Sequence, residues 1–571
     1  MKKWTAWLLF ICLMTSLLSG CGGKTPAASQ PESAPAAEAS KPASAPEATP
    51  VQADESTAEA AESAQESVVE APPEFVEVAL PIVSEPETFS LWYTFPPVLT
   101  NFIDGPGDTP FAKELESRTG IHIDFKVINT ETAAEEFSLM AASGDYTDMI
   151  LGASTYYNNP DQLIEDGVAI DVAPYLDTLL PNMKAVLASN PDYAMAAYTD
   201  SGAIAECYRF EIGTEQNVGP VIRKDYLDKL NLEIPETYDE YYEVLSAFKN
   251  QLGASAPLLM PYTGLTNYFS LGYGVPCDLR NTLFYVKDGE VCYAGLEQDY
   301  YDFLTLMAKW YADGLIDPDF LSRTTTTDPD NGLISSGDAG VWTANALMFD
   351  MYGDMVDDPD FAITGTAYPK QSADSPMMYY NEDKVTGNGY TVSTACHDVD
   401  TCLRWINYWY SKDGTFLANY GLEGVSFEYD ENGDPHLNET ILQSPMGLPS
   451  SLTSAIYITG GGPYVNDCTK TQYYFGELQR AALETWDRSD ETFCSEGYPE
   501  AAGLTTEESE EYSSIMGDIE TYMEETVTSV LVGNTPVSAL EEMTEKLETM
   551  NIQDAIALKQ AAYDRYQAKA A

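Results

Sequence analysis

Tyrosine and tryptophan are the residue types of this sequence best suited to contact a small organic molecule. The 571 residues include 38 Tyr and 8 Trp but only three His (122, 397 and 436). Aromatic rings stack on the apolar C–H faces of sugars, and Tyr hydroxyls hydrogen-bond polar groups at the rim. The composition therefore suits carbohydrate binding and leaves few places for His-based hydrolysis or a His-rich metal site.

Motifs of the common nucleotide-binding and hydrolytic sites are missing from the sequence. It contains no G-x-x-x-x-G-K-[ST], no H-E-x-x-H and no G-x-S-x-G. Residues 430–434 (DENGD) supply the early oxygens of an EF-hand calcium loop, but Ile441 stands where that loop needs its bidentate Glu. We therefore predict a β-turn at residues 430–434 and no metal site.

The acidic composition excludes some partners. The sequence has 28 Lys and Arg against 91 Asp and Glu, a formal charge of −63. Neutralising phosphates needs clustered Lys and Arg, so we expect no nucleic-acid partner and no docking on an anionic membrane surface. A catalytic pair of carboxylates remains an alternative, because a sequence with 91 acidic residues does not exclude such a pair.

The N-terminus reads as a secretory leader that ends at a cysteine. Lys2 and Lys3 precede an apolar stretch over residues 7–18, which is too short for a stable membrane-spanning helix. Residues 18–21 (LSGC) resemble the bacterial lipobox, in which the cysteine receives acyl chains such as palmitate and becomes the new N-terminus. We predict a signal peptide over residues 1–20, lipidation of Cys21 and anchoring on the outer surface of the cytoplasmic membrane.

A spacer follows the predicted anchor. Residues 24–74 consist mainly of Ala, Pro, Ser and Glu, and their only large apolar residues are three valines. Such a segment cannot bury enough apolar surface to offset the entropy cost of ordering. We predict a disordered linker over residues 21–80 that precedes a folded body over residues 81–571.

The body begins with an alternation of strands and helices. Residues 88–95, 121–127 and 148–151 predict strands, and residues 109–120 and 137–144 predict the helices between them. This order is typical of an α/β fold with a parallel sheet and flanking helices. Ligands of such sheets bind beyond the carboxyl ends of the strands.

Further elements are predicted along the rest of the body by the same periodicities. Helical spacing covers residues 238–252, 300–313 and 536–566, and short strands are predicted at residues 339–343 and 391–393. Met and Leu on the helical stripes are assigned to the core rather than to a ligand.

Four stretches occur in an order that matches a known family. They are residues 137–148 (FSLMAASGDYTD), 220–230 (PVIRKDYLDKL), 411–424 (SKDGTFLANYGLEG) and 560–566 (QAAYDRY). Together they resemble the extracellular solute-binding proteins of bacterial ABC importers, specifically the LipO-like lipoproteins that bind oligosaccharides. The sequence departs from that pattern in an insertion-like segment over residues 494–511.

The resemblance implies a type 2 periplasmic-binding-protein fold, in which two α/β lobes close on a ligand about a hinge. It implies that the chain crosses between lobes near residues 207–219, 342–346 and 421–427, and that the segment 494–511 alters one rim of the cleft. The implied lobes comprise residues 81–210 and 345–422 in lobe one, and residues 215–342 and 425–571 in lobe two.

Nine side chains are predicted to contact the ligand, because each lies at a strand end, at an implied hinge or beside a glycine that lets the backbone approach a ligand. They are Trp92, Tyr93, Tyr156, Tyr208, Arg209, Tyr262, Trp342, Tyr390 and Tyr464. Arg209 is the best polar candidate, because its guanidinium can bind vicinal hydroxyls or a carboxylate. A salt bridge at the hinge is the alternative for Arg209.

The body contains seven cysteines, an odd number, and no C-x-x-C. The spacing argues against a zinc ribbon. An extracytoplasmic location permits disulfides, but the sequence does not choose between bridges and free thiols.

These features predict a non-catalytic receptor without a cofactor. It captures a carbohydrate, an oligosaccharide, between its lobes and delivers it to the permease subunits of an ABC transporter as a monomer. Two alternatives remain at this stage: a peptide or amino-acid receptor of the same fold, and a secreted glycoside hydrolase with paired carboxylates.

Overall fold

Strands and helices alternate through the described part of the chain. The computed structural model describes the following residues: 75–95, 103–157, 159–213, 217–262, 269–277, 283–323, 331–379, 384–442, 444, 461–468, 475–487, 491–499 and 501–569. All of them belong to one unit, Val69–Ala571. The predicted leader, Cys21 and most of the predicted linker lie outside the described residues.

Sixteen strands occur among the described residues. They are β1 (Glu87–Phe95), β2 (Ile121–Asn129), β3 (Met149–Leu151), β4 (Cys207–Ile212), β5 (Val218–Arg223), β6 (Ala256–Leu259), β7 (Phe284–Lys287), β8 (Glu290–Tyr293), β9 (Ala339–Asn345), β10 (Ile363–Gly365), β11 (Met377–Tyr379), β12 (Val385–Val392), β13 (Phe427–Tyr429), β14 (Pro435–Leu437), β15 (Val465–Asp467) and β16 (Phe493–Gly497).

Seventeen α-helices occur in the same ranges. They are α1 (Pro110–Thr119), α2 (Ala133–Ser143), α3 (Pro160–Glu165), α4 (Pro181–Ser189), α5 (Pro191–Ala197), α6 (Lys224–Leu230), α7 (Tyr238–Ala247), α8 (Gln298–Ala312), α9 (Asn331–Ser335), α10 (Phe349–Met355), α11 (Val399–Trp409), α12 (Lys412–Tyr420), α13 (Glu439–Leu442), α14 (Glu477–Trp486), α15 (Thr506–Leu531), α16 (Met543–Thr549) and α17 (Ile552–Ala568). None of the described helices combines the length and apolar composition needed to cross a membrane.

The first core surrounds a six-stranded sheet of order β15-β4-β12-β3-β1-β2. β1 pairs in parallel with β2 and β3, whereas β12 runs antiparallel to β3 and β4. Phe89, Leu91 and Tyr93 pack on one face of β1 and Trp92 on the other. β1 therefore reads as a nearly continuous apolar run, because helices cover both faces of the sheet.

The second core surrounds two four-stranded sheets, of order β10-β5-β9-β6 and β11-β16-β7-β8. Helices α7, α8 and α15 to α17 contribute their apolar faces to this core. The mixed α/β architecture with two cores agrees with the predicted α/β class.

Local signals explain several helix and turn boundaries. The Thr109 hydroxyl accepts a hydrogen bond from the backbone N–H of Ala112 at 3.1 Å, and Gly120 ends α1 with φ = 77°. These two caps agree with the helix predicted over residues 109–120. The turn predicted at residues 430–434 joins β13 to β14, with Asp430 Oδ1 accepting the backbone N–H of Asn432 and of Asp434. The seven body cysteines are thiols that form no disulfide bond with one another.

The chain returns from the second core to the first at a later place than the resemblance implied. It leaves the first sheet after β4 and enters the second core at β5, but it does not return near residues 342–346. Phe349, Tyr352 and Ile363 are buried in the second core, and β10 pairs with β5. The return occurs between β11 and β12, so residues 345–379 belong with the second core and not with the first.

The C-terminal part crosses between the cores near residues 421–427 and later returns once to the first core. Leu417 on α12 packs in the first core, and Phe427 on β13 packs in the second. β15 then joins the first sheet, where Val465 pairs with Phe210, before Trp486 packs in the second core. The segment 425–571 therefore contributes one strand to the first core, because β4 leaves an edge that β15 covers.

Candidate ligand-binding cavity

A cavity of about 720 Å³ lies between residues of the two cores. One wall comes from the first core: the loop after β3, helix α5, Tyr208 on β4 and the start of β12. The other wall comes from Tyr379 on β11, the segment after β16 and the end of α17. The volume is within the range of roughly 300–1,000 Å³ of small-molecule sites.

Among the described residues, all five aromatic side chains that line the cavity are tyrosines. Tyr157, Tyr198 and Tyr208 come from the side of the first core, and Tyr379 and Tyr566 from the opposite side. Burial, with Asp166 beside it, raises the pKa of Tyr157 to about 12, and burial also raises the pKa of Tyr208. The phenols of Tyr157 and Tyr208 are therefore neutral at pH 7 and offer both a donor and an acceptor.

A buried carboxylate holds the loop after β3 in place. Glu206 Oε1 accepts the backbone N–H of Gly389 at 2.8 Å, and Oε2 accepts the backbone N–H of Ser154 at 3.1 Å. The hydroxyl of Thr391 lies 3.3 Å from Oε2. Burial raises the pKa of Glu206 to about 7, although these hydrogen bonds oppose the shift. Glu206 thus joins the wall residue Ser154 to β12.

An ion-pair cluster connects the two walls at the end of α17. Asp200, beyond α5, lies 2.8 Å from Arg565 Nε and 2.9 Å from Lys569 Nζ. Arg565 also binds Glu508 at the start of α15, at 2.6 Å. The Asp200–Arg565–Lys569 group is called the clasp below. Its cations lower the pKa of Asp200 against the opposing effect of burial.

Tyr208 is the one predicted ligand residue that lines the cavity. Tyr156 does not line it, because its ring stacks on Phe137 with centroids 4.4 Å apart. Its neighbour Tyr157 takes the position on the wall instead. Arg209 lies 2.6 Å from Glu211, which is the salt bridge considered as its alternative role.

The other predicted aromatic residues are buried in the cores. Trp92 and Tyr93 lie on opposite faces of β1, and Trp92 meets Phe137 and Tyr156 edge to face. Their burial removes these side chains from the cavity wall. The same applies to Tyr262, Trp342, Tyr390 and Tyr464, which are each at most 3% exposed.

The glycines beside two of these tyrosines serve strand packing. A Cβ on Gly389, next to Tyr390, would lie 2.0 Å from the carbonyl oxygen of Cys207 on the neighbouring strand. A Cβ on Gly461, near Tyr464, would lie 2.7 Å from the side chain of Leu151. These glycines admit protein atoms, which corrects the interpretation that they leave room for a ligand.

Sequence reasoning missed most of the lining. Tyr566 belongs to the stretch 560–566 that matches the family, so the sequence offered a signal for this residue. No sequence pattern indicates Tyr198 or Tyr379. Glu496 and Pro499 lie in the segment 494–511, which was expected at a rim of the cleft and does line the cavity. Glu206, an acid in an otherwise apolar run before β4, was a second usable signal.

Comparison with known proteins places this arrangement in a family. The family model "Bacterial extracellular solute-binding protein" matches residues 100–415. The chain is 23% identical over 503 residues to the fructooligosaccharide ABC transporter substrate-binding protein FusA of Streptococcus pneumoniae, covering 81% of this chain and 88% of FusA. It is also 23% identical over 372 residues to lipoprotein LipO of Bacillus subtilis, covering 60% and 70% of the two chains.

Solved structures share the fold. The crystal structure of the alginate-binding protein AlgQ2 without calcium ion matches with a TM-score of 0.68 and 22% identity, covering 86% of this chain and all of AlgQ2. FusA in complex with kestose matches with a TM-score of 0.67 and 19% identity, covering 84% and 99% of the two chains. The fold is therefore that of the periplasmic solute-binding proteins, as the sequence predicted.

Proposed function

Because the chain belongs to the bacterial extracellular solute-binding proteins, we propose that it captures an oligosaccharide in the cavity and delivers it to the permease of an ABC importer. The relatives FusA and AlgQ2 are named for carbohydrates that they bind, fructooligosaccharide and alginate. The transport role belongs to the family, and the choice of a carbohydrate is the proposal.

The observation that carries the proposal is the lining of the cavity. Five tyrosines face it from the two sides, with hydroxyl, amide and carboxylate groups between them. Aromatic rings match the apolar faces of pyranose and furanose rings, and the polar groups match their hydroxyls. An oligosaccharide presents both kinds of surface at every unit.

The two cores act as the lobes of the receptor in this proposal. The first comprises the six-stranded sheet and its helices, and the second comprises the two four-stranded sheets. The cavity has one wall from each core, so approach of the cores would enclose the ligand. The clasp would then help to hold them together.

We also propose where the protein lies and that it leaves its ligand chemically unchanged. The protein is a monomer held at the extracytoplasmic face of the membrane by acyl chains on Cys21, and it releases its ligand unchanged. No cofactor is required, because binding through stacking and hydrogen bonds needs none. A peptide receptor and a glycoside hydrolase are the alternatives to separate.

The test is a thermal-shift and calorimetry screen with oligosaccharides and, separately, peptides. A ligand of the folded state adds about 2.7 kcal/mol to the free energy of unfolding at one hundred times its Kd. We expect Tyr208→Ala and Tyr566→Ala to weaken oligosaccharide binding about tenfold or more, because each loses a stacking surface. Tyr429→Ala, on the exposed tip of β13, should bind as the unmodified chain does.

Each other outcome has a defined meaning. A melting-temperature shift with peptides alone would favour the peptide receptor. Shortening of the oligosaccharide during incubation with the protein would favour the hydrolase. Equal binding by Tyr208→Ala and the unmodified chain would contradict the assignment of the cavity.

A further inference from the structure

The charged side chains of the cavity differ in whether they already have an ion-pair partner. The lining includes three acids, Asp192, Asp200 and Glu496, and two bases, Lys384 and Lys569. No arginine is present among the described lining residues. Lys569 Nζ lies 2.9 Å from Asp200 and donates to the carbonyl oxygen of Tyr198 at 3.0 Å. Lys569 is therefore occupied by the clasp.

The two arginines that adjoin lining tyrosines in the chain, Arg209 beside Tyr208 and Arg565 beside Tyr566, have ion-pair partners as well. Arg209 lies 2.6 Å from Glu211 Oε1, and Glu211 Oε2 also accepts the side-chain amide of Asn466 at 2.6 Å. Arg565 lies between Asp200 and Glu508, at 2.8 and 2.6 Å. Each of these guanidinium groups therefore already has a protein carboxylate as its counter-ion.

Two acids of the lining have no such partner. Within the described part of the chain, the carboxylates of Asp192 and Glu496 form no ion pair. Asp192 lies in the first turn of α5, and Glu496 lies on β16. Burial raises the pKa of Glu496, and the Tyr563 hydroxyl opposes this. Lys384 is the one lining cation without an ion pair among the described residues.

The two acids and the one cation of the lining that lack an ion pair among the described residues determine which sugars the cavity can enclose. A carboxylate taken from water into an enclosed site needs a cation and hydrogen bonds to compensate for lost hydration. A chain of uronates brings one carboxylate per unit, and Lys384 can compensate one of them. Sugar hydroxyls, in contrast, can donate hydrogen bonds to the carboxylates of Asp192 and Glu496.

Resting on the proposed function, we infer that the ligand is a neutral oligosaccharide whose hydroxyls donate to Asp192 and Glu496, and that uronate-containing chains are rejected. The segment that departs from the family pattern, residues 494–511, supplies Glu496. The formal charge of −63 acts in the same direction, because it repels polyanions before they reach the cavity.

The first experiment compares two pools of oligosaccharides by calorimetry with the full-length protein. A mixed hydrolysate of plant, fungal and bacterial polysaccharides is separated by anion exchange into a neutral pool and a uronate-containing pool of equal chain length. We expect the neutral pool to bind at least tenfold more tightly than the uronate-containing pool. The affinity for the neutral pool should change less than twofold between low and high salt. Binding of the uronate pool as tightly as the neutral pool would overturn the inference and leave the receptor function standing, whereas binding of neither pool would overturn both.

The second experiment changes the two acids without changing their shape. Glu496→Gln and Asp192→Asn should each weaken binding of the neutral ligand about tenfold, because a charged acceptor becomes a neutral one. Both substitutions should also reduce the preference for the neutral pool over the uronate-containing pool by a similar factor. Glu545→Gln, on the exposed surface of α16, is the matched control and should leave both affinities unchanged. An unchanged preference in both variants would overturn the inference.

Discussion

Glu206 is a carboxylate placed where water cannot hydrate it. Its two oxygens accept hydrogen bonds from three donors, and these bonds hold the loop after β3 against β12. Burial raises its pKa from an ordinary value of 4.5 to about 7. The folded protein therefore binds the proton of Glu206 more tightly than the unfolded chain does.

This pKa predicts a pH dependence of stability. Because the folded-state pKa lies above the unfolded value, the contribution is fully present below pH 4.5 and is lost as the pH rises towards 7. The loss of unfolding free energy between pH 4.5 and pH 8 is on the order of 3 kcal/mol. Urea unfolding at a series of pH values should show a shallower fall for Glu206→Gln than for the unmodified chain.

A control separates Glu206 from the general acidity of the chain. Glu545→Gln removes a carboxylate from the exposed surface and should keep the slope of the unmodified protein. Identical slopes for Glu206→Gln and the unmodified chain would contradict the raised pKa.

Helix α17 contains the stretch 560–566, and four residues of this stretch make tertiary contacts or line the cavity. The backbone N–H of Val291 donates to Gln560 Oε1 at 2.7 Å, and Tyr563 packs in the second core. Arg565 binds Asp200 and Glu508, and Tyr566 lines the cavity. One helix thus connects the second core, the clasp and the wall of the cavity.

A double-mutant cycle on Arg565 and Asp200 tests the clasp. Arg565 does not line the cavity; it forms ion pairs and donates a hydrogen bond to the carbonyl oxygen of Gly503 at 3.2 Å. We expect Arg565→Gln and Asp200→Asn each to lower the free energy of unfolding, with a coupling energy of about 1 kcal/mol for this partly exposed pair. The measurement is urea unfolding of both single variants and the double variant. Additive effects would show that the pair does not couple the two walls.

At the scale of the whole molecule, the chain passes several times between two cores. β4 to β5, β11 to β12, and α12 to β13 are crossings, and β15 adds a strand to the first sheet. Several crossing segments restrict the relative motion of the cores more than one linker would. Opening about these segments is the motion that the proposed capture of ligand requires.

The predicted anchor is also a property of the whole molecule. If Cys21 carries acyl chains, the unmodified protein should sediment with membranes and incorporate a labelled fatty acid. Cys21→Ser should lose both properties, because the acyl chains are attached to this thiol. Cys494→Ser, a change at an exposed free thiol of the body, is the matched control and should remain in the membrane fraction. Membrane retention of Cys21→Ser would contradict the anchor.

The sequence by itself determined the α/β class, the family and the elements with strong local signals. The N-cap of α1 at Thr109 and the turn of β13 and β14 at Asp430 depend on residues two to four positions away. The capping box of Thr505 and Glu508, which begins helix α15, is a local signal of the same kind. Such contacts can be predicted because both partners are neighbours in the chain.

Only the tertiary structure decided which side chains form the cavity. Tyr156 and Tyr157 are adjacent, yet one stacks on Phe137 and the other lines the wall. The choice depends on which face of each element meets the opposite core. Asp200 and Arg565 meet across 365 positions of the chain. No pattern within a few residues encodes such a pair, because the fold of both cores has to form before the two walls face each other.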